Sequence, residues 1–539
     1  MTTKDFFARN ERFRHGSAHW ASERELKREG YFTRTAQSVH IGFSYGRAIY
    51  WNGDSGGLIN AGPRSGKFTG VIGFAACTGF SQNNQVFLDV KSEIAMVGRD
   101  QTAEMRPCYF WAPHKRFCRP QHNIDLMSHI TLDSPTLIAD ITLQFENSLP
   151  ESGGGNAKFF ELSAQRLCKS IGLSGVESEG AFSFRTFKNN LDLLLQDNEE
   201  TDALIDRMSA SRFADVRAAA GEIANGIASG SNAFLSVVAE AQNAFRCLND
   251  PDLLSSISPP FHLTLEEFCD SEGANLYLMP LPDFVKSWAP VIRIFLGNLK
   301  LLKSRRPNAR KQDWWIDEAP LLAPFPLLAE VLNLGAGQGV RAFIVTQSFK
   351  QMKSIVTDGD TLLPAGAGMQ IYFGVRDDET ASRLSKAIGS ETLYFDDDLK
   401  RSEAALQTKQ TIRRLLAGGD PLKLGMEYAH HKRASQHRSQ QERPLIRPDE
   451  IRHLPRGKAI IFLDGLSGPV LADLIAYFEN RPMAGRFQSN PHHAPKGMDK
   501  VRVKTRLGHA WRTVREMPVP PKFAHLPQYA DAPYTVVEA

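Results

Sequence analysis

The feature that most constrains this chain is a glycine-rich turn that ends in a lysine and lies between an apolar run and a run of small residues. The apolar run is Leu58-Ile59, and the small residues over 69–78 are consistent with a helix. A turn from strand to helix directs backbone N–H groups at phosphate, and Lys67 adds charge for the β and γ oxygens of a nucleotide. The turn therefore predicts a phosphate loop, with an exposed lysine after an ordinary turn as the alternative. The predicted loop consists of Ala61, Gly62, Pro63, Arg64, Ser65, Gly66, Lys67, Phe68 and Thr69.

A pair of carboxylates follows 250 positions later, counted from 67 to 317. Asp317-Glu318 comes directly after Trp314-Trp315-Ile316, an apolar segment that indicates a buried strand. At the end of such a strand, the first carboxylate can hold Mg²⁺ through water, and the second can orient or deprotonate an attacking water. An Asp-Glu pair alone is more often a solvated helix start. Together with the glycine-rich turn, it predicts one nucleotide site and an NTP-driven motor.

Composition permits a large motor and gives no sign of a zinc-binding or disulfide-rich protein. A chain of 539 residues should form about three structural units by the usual domain sizes. Charged residues make up 23% and hydrophobic residues 42%, which is ordinary for a globular protein. The six cysteines have no Cys-x-x-Cys spacing, so neither a zinc site nor a disulfide framework is predicted.

The sequence contains no membrane signal. Residues 1–14 are polar and charged, without the apolar centre of a signal peptide. No stretch reaches the roughly 18 to 20 uninterrupted apolar residues that a membrane helix needs. We therefore expect a soluble, cytoplasmic protein.

Basic residues are concentrated in two clusters, although the net charge is only +4. Such clusters can neutralise phosphates without reading sequence, which predicts nucleic-acid binding, and a solvated loop or tail is an equal alternative for either one. The first cluster consists of Lys432, Arg433, Arg438, Arg443, Arg447, Arg452, Arg456 and Lys458. The second consists of Lys496, Lys500, Arg502, Lys504, Arg506, Arg512 and Arg515, with Trp511 available to stack on an unpaired base.

Apolar periodicity predicts an α/β nucleotide-binding domain interrupted by a helical insertion. Strand signals alternate with helices, fade into helical spacing, and then resume with strands expected over 274–279, 314–316, 341–346, 369–374 and 459–463. The last part is rich in proline and basic residues, and we expect a loose tail there. The predicted segments are an N-terminal segment (1–34), the first part of the nucleotide-binding domain (35–124), an all-α insertion (125–270), the second part of that domain (271–480), and the tail (481–539).

Six motifs occur in an order that is similar to a known family. They are His15-Gly16-Ser17-Ala18-His19-Trp20-Ala21; Arg64-Ser65-Gly66-Lys67; Asp89-Val90-Lys91-Ser92-Glu93; Asp317-Glu318; Val345-Thr346-Gln347-Ser348; and Gln370-Ile371-Tyr372-Phe373-Gly374 with Asp377, Glu379-Thr380-Ala381 and Ser385. The chain resembles, from about residue 15 to 478, the TraG/TraD family of coupling ATPases of conjugative type IV secretion systems.

The resemblance implies a RecA-like P-loop NTPase domain with an inserted all-α domain that selects cargo. It also implies a homo-hexamer that hydrolyses ATP with Mg²⁺ and passes single-stranded DNA or a relaxase-DNA complex to the secretion channel. Lys67 would then hold phosphate, Asp317 would hold Mg²⁺ through water, and Glu318 would activate water. Gln347 would sense the γ-phosphate, since its amide can both donate and accept, with a strand-capping glutamine as the alternative.

The chain departs from the family pattern at three places. Phe68 stands where a phosphate loop usually has a Mg²⁺-binding Ser or Thr, and Thr69 comes one position late. Ala336-Gly337-Gln338-Gly339 replaces an Arg-Gly-Tyr-Gly loop, so a possible trans-acting arginine is lost; Arg341 and Arg376 are candidate substitutes that the match does not place. The sequence does not show the paired N-terminal membrane helices of typical members, so we expect a possible separate subunit as the membrane anchor.

These features together predict an ATP-dependent coupling protein that recruits and pumps DNA or a relaxase-DNA substrate to a type IV secretion channel. It would be cytoplasmic or peripheral at the bacterial inner membrane. One alternative is a DNA pump of the FtsK or HerA type outside secretion. The other is a recruitment module that binds ATP without hydrolysing it, which Phe68 and Ala336 favour.

Overall fold

The structure is a computed structural model, and it describes residues 15–78, 81–98, 106–115, 117, 120–150, 156–196, 198–395, 398–418, 420–435, 439–494 and 496–538. These residues form two compact units. The larger unit consists of the described parts of Glu23–Gly374, Pro455–Leu466 and Val470–Ala539, and the smaller unit of those of Met1–Ser22, Val375–Leu454 and Ser467–Pro469.

The strands are numbered in chain order. Their bounds are β1 Val39–Ser44, β2 Arg47–Trp51, β3 Gly57–Ala61, β4 Asn84–Leu88, β5 Cys108–Trp111, β6 Ile124–Asp125, β7 Leu263–Thr264, β8 Asn275–Leu278, β9 Gln312–Ile316, β10 Val340–Thr346, β11 Met369–Phe373, β12 Ser390–Phe395, β13 Ser439–Pro444, β14 Lys458–Leu463, β15 Val470–Asp473, β16 Lys500–Thr505, β17 Gly508–Met517 and β18 Tyr534–Val537. The five strands predicted after the insertion are confirmed as β8, β9, β10, β11 and β14.

The helices are numbered in the same way. They are α1 Glu23–Arg28, α2 Gly73–Thr78, α3 Glu93–Gly98, α4 Leu137–Ser148, α5 Asn156–Glu179, α6 Phe184–Leu193, α7 Glu199–Ser209, α8 Ala214–Ala228, α9 Asn232–Phe245, α10 Pro251–Ser256, α11 Leu265–Asp270, α12 Val285–Ser304, α13 Leu327–Gln338, α14 Phe349–Ile355, α15 Gly359–Gly366, α16 Asp378–Ile388, α17 Asp398–Leu416, α18 Pro421–Ser435 and α19 Pro448–Arg452. A π-helical turn, Phe68–Ile72, runs directly into α2.

The larger unit is built on an eleven-stranded sheet in the order β2-β1-β15-β14-β11-β3-β10-β9-β4-β8-β5. The strands from β11 to β5 are parallel to one another, and those from β14 to β2 add an antiparallel edge. Every residue of β3, β4, β8, β9 and β10 is buried. Parallel strands that are covered by helices on both faces are rich in apolar residues. The apolar runs within these strands are what the sequence pattern detected.

The predicted helical insertion is present in the part of the chain between β5 and β8. Helices α4 to α11 occupy it, and the short parallel pair β6–β7 joins its two ends, with Ile124 opposite Leu263. Ser183, Asn198 and Ser231 cap helices α6, α7 and α9, because each side chain accepts a backbone N–H of the first turn. The insertion belongs to the same compact unit as the sheet.

The smaller unit was not predicted, because 271–480 was expected to be one continuous part of the nucleotide-binding domain. Residues Val375–Leu454 instead form their own core around the antiparallel pair β12–β13 and helices α16 to α19. The N-terminal motif joins this unit: the Ala18 N–H donates to the Ser390 carbonyl at 3.0 Å, and Ser17 bridges to Glu391. Gly16 is required there, since a Cβ would lie 2.1 Å from the Ser390 oxygen.

The expectation of a loose tail after residue 480 is wrong. Strands β16, β17 and β18 form an antiparallel sheet, and Val501 and Val503 alternate inward from it. Gln528 is fully buried and fixes the segment to β5, accepting from the Cys108 N–H at 3.0 Å and donating to the Arg106 carbonyl at 2.9 Å. The prolines misled the prediction because they begin short 3₁₀ turns, such as Pro527–Tyr529, inside a packed segment.

The packing of this segment predicts that Phe487→Ala loosens it. The Phe487 side chain is 3% exposed and its ring centre lies 4.9 Å from that of Tyr477, so its removal should cost about 3–5 kcal/mol. Hydrogen exchange of the β16 amides should then accelerate by roughly 100-fold. Leu507→Ala is the matched control, because Leu507 is 98% exposed and its loss should change the free energy by less than about 0.5 kcal/mol. Unprotected β16 amides in the wild-type protein would restore the tail interpretation.

Candidate active site

The glycine-rich turn forms a tight loop between β3 and the π-helical turn. Arg64 and Gly66 adopt positive φ angles of 57° and 96°, and the Ser65 hydroxyl donates to the Gly62 carbonyl at 2.6 Å. Gly62 packs against the end of β11, where an added Cβ would lie 2.0 Å from the Gly374 oxygen. The loop conformation therefore depends on glycine at 62 for close approach and at 66 for backbone geometry.

Sheet order brings the other predicted site residues to this loop. Strand β10 lies between β3 and β9, and all three are parallel, so their carboxyl ends meet at one edge of the sheet. Lys67 follows β3, Asp317-Glu318 follows β9, and Gln347 follows β10. Parallel α/β sheets bind ligands at this edge.

The four side chains form one cluster that is held by ion pairs and hydrogen bonds. The Lys67 ammonium lies 2.8 Å from Asp317 Oδ1 and also donates to Glu318 Oε1. Gln347 Nε2 donates to the other oxygen, Glu318 Oε2, at 2.9 Å. Glu318 itself has the left-handed backbone conformation, φ 60° and ψ 46°, at the start of the 3₁₀ turn Ala319–Leu322. A non-glycine residue in that region is strained and persists only where its surroundings hold it.

The Lys67 side chain is only 14% exposed, so it is not the exposed lysine of the alternative interpretation. Burial alone would lower the pKa of Lys67, but its attraction to Asp317 and Glu318 outweighs burial and raises it. Burial likewise opposes ionisation of Glu318, yet the Lys67 ammonium and the Gln347 amide hold the pKa of Glu318 below its usual value. At Asp317 burial dominates, and the pKa is raised despite Lys67.

The two unusual residues after Lys67 have structural explanations. Phe68 is buried, and its ring meets the edge of Tyr477 with centres 5.7 Å apart. The Thr69 hydroxyl donates to the Gly66 carbonyl at 3.2 Å, inside its own turn. The aromatic residue thus anchors the loop to the segment around Tyr477, a contact that sequence reasoning missed because its partner lies 409 positions away, from 68 to 477.

A further acidic loop, residues 89–93, follows β4 and borders the same edge. Asp89 is buried and accepts the Ala95 N–H at 2.8 Å. Burial raises the pKa of Asp89 to about 7, with the backbone N–H groups of Ala95 and Ile94 opposing that rise. Glu93 accepts from the Asn490 side chain at 2.8 Å.

These residues line a cavity of about 1000 Å³. Such a volume is at the upper end of that of ordinary ligand sites. The lining includes the loop from Arg64 to Gly70, Asp317, and residues 91 and 93. It also includes residues from the range 456–502.

Arg341 does not provide a trans-acting arginine. Its side chain is fully buried, and Nε and Nη2 bind the two oxygens of Asp313 at 2.7 and 3.0 Å. Burial would raise the pKa of Asp313, but the Arg341 guanidinium outweighs burial and lowers it. Arg341 is therefore a structural residue of β10 that pairs with Asp313 of β9. The other candidate, Arg376, lies in the smaller unit.

The basic clusters are partly neutralised by acidic side chains. In the second cluster, Glu479 lies 4.0 Å from Arg502, 3.8 Å from Lys504 and 2.6 Å from His509. Trp511 is 38% exposed, with the Lys496 ammonium 4.8 Å from its ring centre. DNA binding by this cluster stays a prediction.

In the first cluster, Arg452 pairs with Asp378 at 2.7 Å and Lys458 with Asp473 at 2.6 Å. The side chains of Lys432, Arg433 and Arg438 lie outside the described part of the chain. Among the described residues, no helix combines the length and the apolar composition that a membrane span requires.

The parallel sheet, the glycine-rich loop after β3 and the carboxylate pair after β9 define a RecA-like P-loop NTPase fold with an all-α insertion. The family described as "Type IV secretory system Conjugative DNA transfer" matches residues 15–506. The chain therefore belongs to this family.

Curated relatives share limited identity with the chain. The conjugal transfer protein TraG of Escherichia coli is 23% identical over 235 residues, which are 41% of this chain and 33% of that protein. Protein VirD4 of Agrobacterium fabrum is 23% identical over 218 residues, 40% of this chain and 29% of that protein. The matched stretch thus spans about a third of the length of these relatives.

Solved structures of the bacterial conjugative coupling protein TrwB have a similar fold. The unbound monoclinic form is 14% identical with a TM-score of 0.60, over 86% of this chain and 97% of that one. The complex of TrwB with ADP and Mg²⁺ is 14% identical with a TM-score of 0.57, over 85% and 94%. At this level of identity the likeness concerns the fold.

The ion cluster predicts that Lys67→Ala destabilises the protein in a pH-dependent way. Without the ammonium, Asp317 and Glu318 are left close together and largely buried, an arrangement that costs about 3–5 kcal/mol when both are ionised. Their folded-state pKa values would then exceed the unfolded ones, so stability is lost as pH rises from about 4 towards neutrality. The difference in melting temperature from wild type should therefore be larger at pH 8 than at pH 5.

Lys188→Ala is the matched control, because Lys188 pairs with a single, 42% exposed carboxylate, Asp192. Its difference in melting temperature should be small and equal at both pH values. Equal differences at pH 5 and pH 8 for Lys67→Ala would mean that the three charges do not interact as described.

Proposed function

We propose that this protein is an ATP-dependent coupling protein that recruits DNA or a relaxase-DNA substrate and pumps it to a type IV secretion channel. The observation that carries the proposal is the cluster of Lys67, Asp317, Glu318 and Gln347 at one sheet edge, in a chain of the conjugative DNA transfer family. TrwB, which shares the fold, has been solved with ADP and Mg²⁺ and with the ATP analogue ADPNP.

The residues fit a nucleoside triphosphate with Mg²⁺. The loop from Ala61 to Thr69 would hold the phosphates through backbone N–H groups and Lys67. Asp317 borders the cavity and would hold Mg²⁺ through water, which supplies charge neutralisation for phosphoryl transfer. The Thr69 hydroxyl is engaged within its own turn, so the metal would depend on Asp317 more than on the loop.

The cluster also supports a role for Glu318 as the base that acts on water. Lys67 would exchange the two carboxylates for phosphate oxygens, which leaves Glu318 held by the Gln347 amide. Released from the ammonium, Glu318 becomes more basic, because the charge that lowered its pKa has moved away. Glu318 would then orient and deprotonate water, and Gln347 would report the state of the γ-phosphate through the same hydrogen bond.

Partners follow the same proposal. We infer a homo-hexamer as the active form, the all-α insertion as the part that selects cargo, and channel components as the receiving partners. We also infer association with the bacterial inner membrane, with a membrane-anchor subunit as a further partner. Single-stranded DNA, alone or in a relaxase-DNA complex, is the expected nucleic-acid partner.

A recruitment module that binds ATP without hydrolysing it is the second candidate. The engaged Thr69 hydroxyl and the buried Arg341 favour it, because a metal-binding hydroxyl and one candidate for a trans-acting arginine are both removed. Family membership makes a DNA pump of the FtsK or HerA type outside secretion the weaker alternative.

Glu318→Gln tests the proposal. The amide keeps the size of the side chain but cannot accept a proton, so ATP should still bind while hydrolysis slows by a factor of roughly 10² or more. Bound nucleotide is measured by filter retention and turnover by phosphate release. Glu330→Gln is the control, since Glu330 pairs with Lys300 on the surface and should leave turnover unchanged. Normal hydrolysis in Glu318→Gln would remove Glu318 from the reaction and point to another carboxylate, such as Glu93.

A further inference from the structure

The C-terminal segment, meaning the described residues of 477–538, supplies one wall of the cavity that the predicted phosphate loop also lines. Residues Tyr477 to Glu479, Phe487 to Asn490 and Lys500 to Arg502 all border the cavity that Lys67 and Asp317 border. This wall lies in the same compact unit as the loop.

Specific contacts fix that wall to the acidic loop 89–93 and to α3. The Asn490 side chain donates to Glu93 Oε2 at 2.8 Å, and His492 Nε2 lies 2.8 Å from the Lys91 carbonyl oxygen. The Gln488 N–H donates to the Val97 carbonyl at 2.9 Å. On the other side, Tyr477 joins the wall to Phe68 of the loop itself. The segment is therefore packed on both sides of the cavity and forms part of the site.

The charge of the cavity is predominantly positive. Six cations line it, namely Arg64, Lys67, Lys91, Arg456, Lys500 and Arg502, against three carboxylates, Glu93, Asp317 and Glu479. Lys500 and Arg502 project from one face of β16, because Val501 and Val503 occupy the buried face. The Glu479 carboxylate lies 4.0 Å from the Arg502 guanidinium at the cavity. The Arg502 side chain is still 47% exposed.

We propose that Arg502, assisted by Lys500, binds the nucleotide phosphates in the cavity that Lys67 also lines, so that the C-terminal segment completes the nucleotide site within one chain. The inference rests on the proposed function, since it assigns a further binding residue to the same cavity. A guanidinium suits this task because its planar N–H groups pair with phosphate oxygens. Arg502 is thereby assigned to nucleotide and not to DNA.

Equilibrium titration of the purified full-length protein with a fluorescent ATP analogue tests the assignment. Arg502→Gln should weaken binding by about 10-fold, the lower end for loss of a hydrogen bond to a charged group at a half-exposed site. Arg502→Lys should recover part of the loss. Arg486→Gln is the matched control, because Arg486 is an exposed arginine of the same segment that does not line the cavity. Affinity for single-stranded DNA without nucleotide should be the same in Arg502→Gln and wild type.

Three further outcomes separate the inference from the proposed function. Wild-type nucleotide affinity in Arg502→Gln, with Lys67→Ala strongly impaired, would overturn the role of Arg502 and leave the phosphate loop intact. Wild-type nucleotide affinity in Lys67→Ala would instead overturn the nucleotide site itself. Loss of DNA affinity with unchanged nucleotide affinity in Arg502→Gln would assign the residue to DNA and overturn the inference.

Discussion

The attraction between the Lys67 ammonium and the carboxylates of Asp317 and Glu318 is the interaction on which the site depends. It exists because β10 lies between β3 and β9 in a parallel sheet, so that three strand ends separated widely in sequence meet at one edge. Two buried carboxylates side by side would repel each other and take up protons; one ammonium between them keeps Glu318 ionised. The same ammonium borders the cavity, and under the proposed function it would bind an incoming polyphosphate.

Two other contacts connect this cluster to the rest of the larger unit. Phe68 and Tyr477 link the loop to the C-terminal segment, so that the residue that looked least suitable for a phosphate loop serves as its anchor. Arg293 of α12 joins the insertion to the turn after Glu318, donating to the Ser148 carbonyl at 2.6 Å and to the Leu322 carbonyl at 3.1 Å. Burial lowers the pKa of Arg293 to about 10, so it stays charged at neutral pH. Arg293 therefore connects the helical insertion to the end of the 3₁₀ turn that follows Glu318.

The central sheet and the cluster were predictable because local patterns encode them. The buried strands β9 and β10 contain the apolar runs Trp314–Ile316 and Ala342–Val345, and the residues that follow them lie at one edge of the sheet. The C-terminal fold was not predictable, because its proline-rich composition resembles a tail and its core forms only against distant residues such as Arg106 and Cys108. Arg341 was misjudged for a related reason: its carboxylate partner, Asp313, lies on a neighbouring strand, and sequence distance does not reveal it.

The claim that matters most is that this cluster hydrolyses ATP to move DNA. ATP turnover by the purified full-length protein, measured with and without single-stranded DNA, tests it most directly. The account predicts turnover that rises when DNA is added and that disappears in Lys67→Ala. ATP that binds at the site but is not turned over in either condition would contradict the motor and leave the recruitment module as the function.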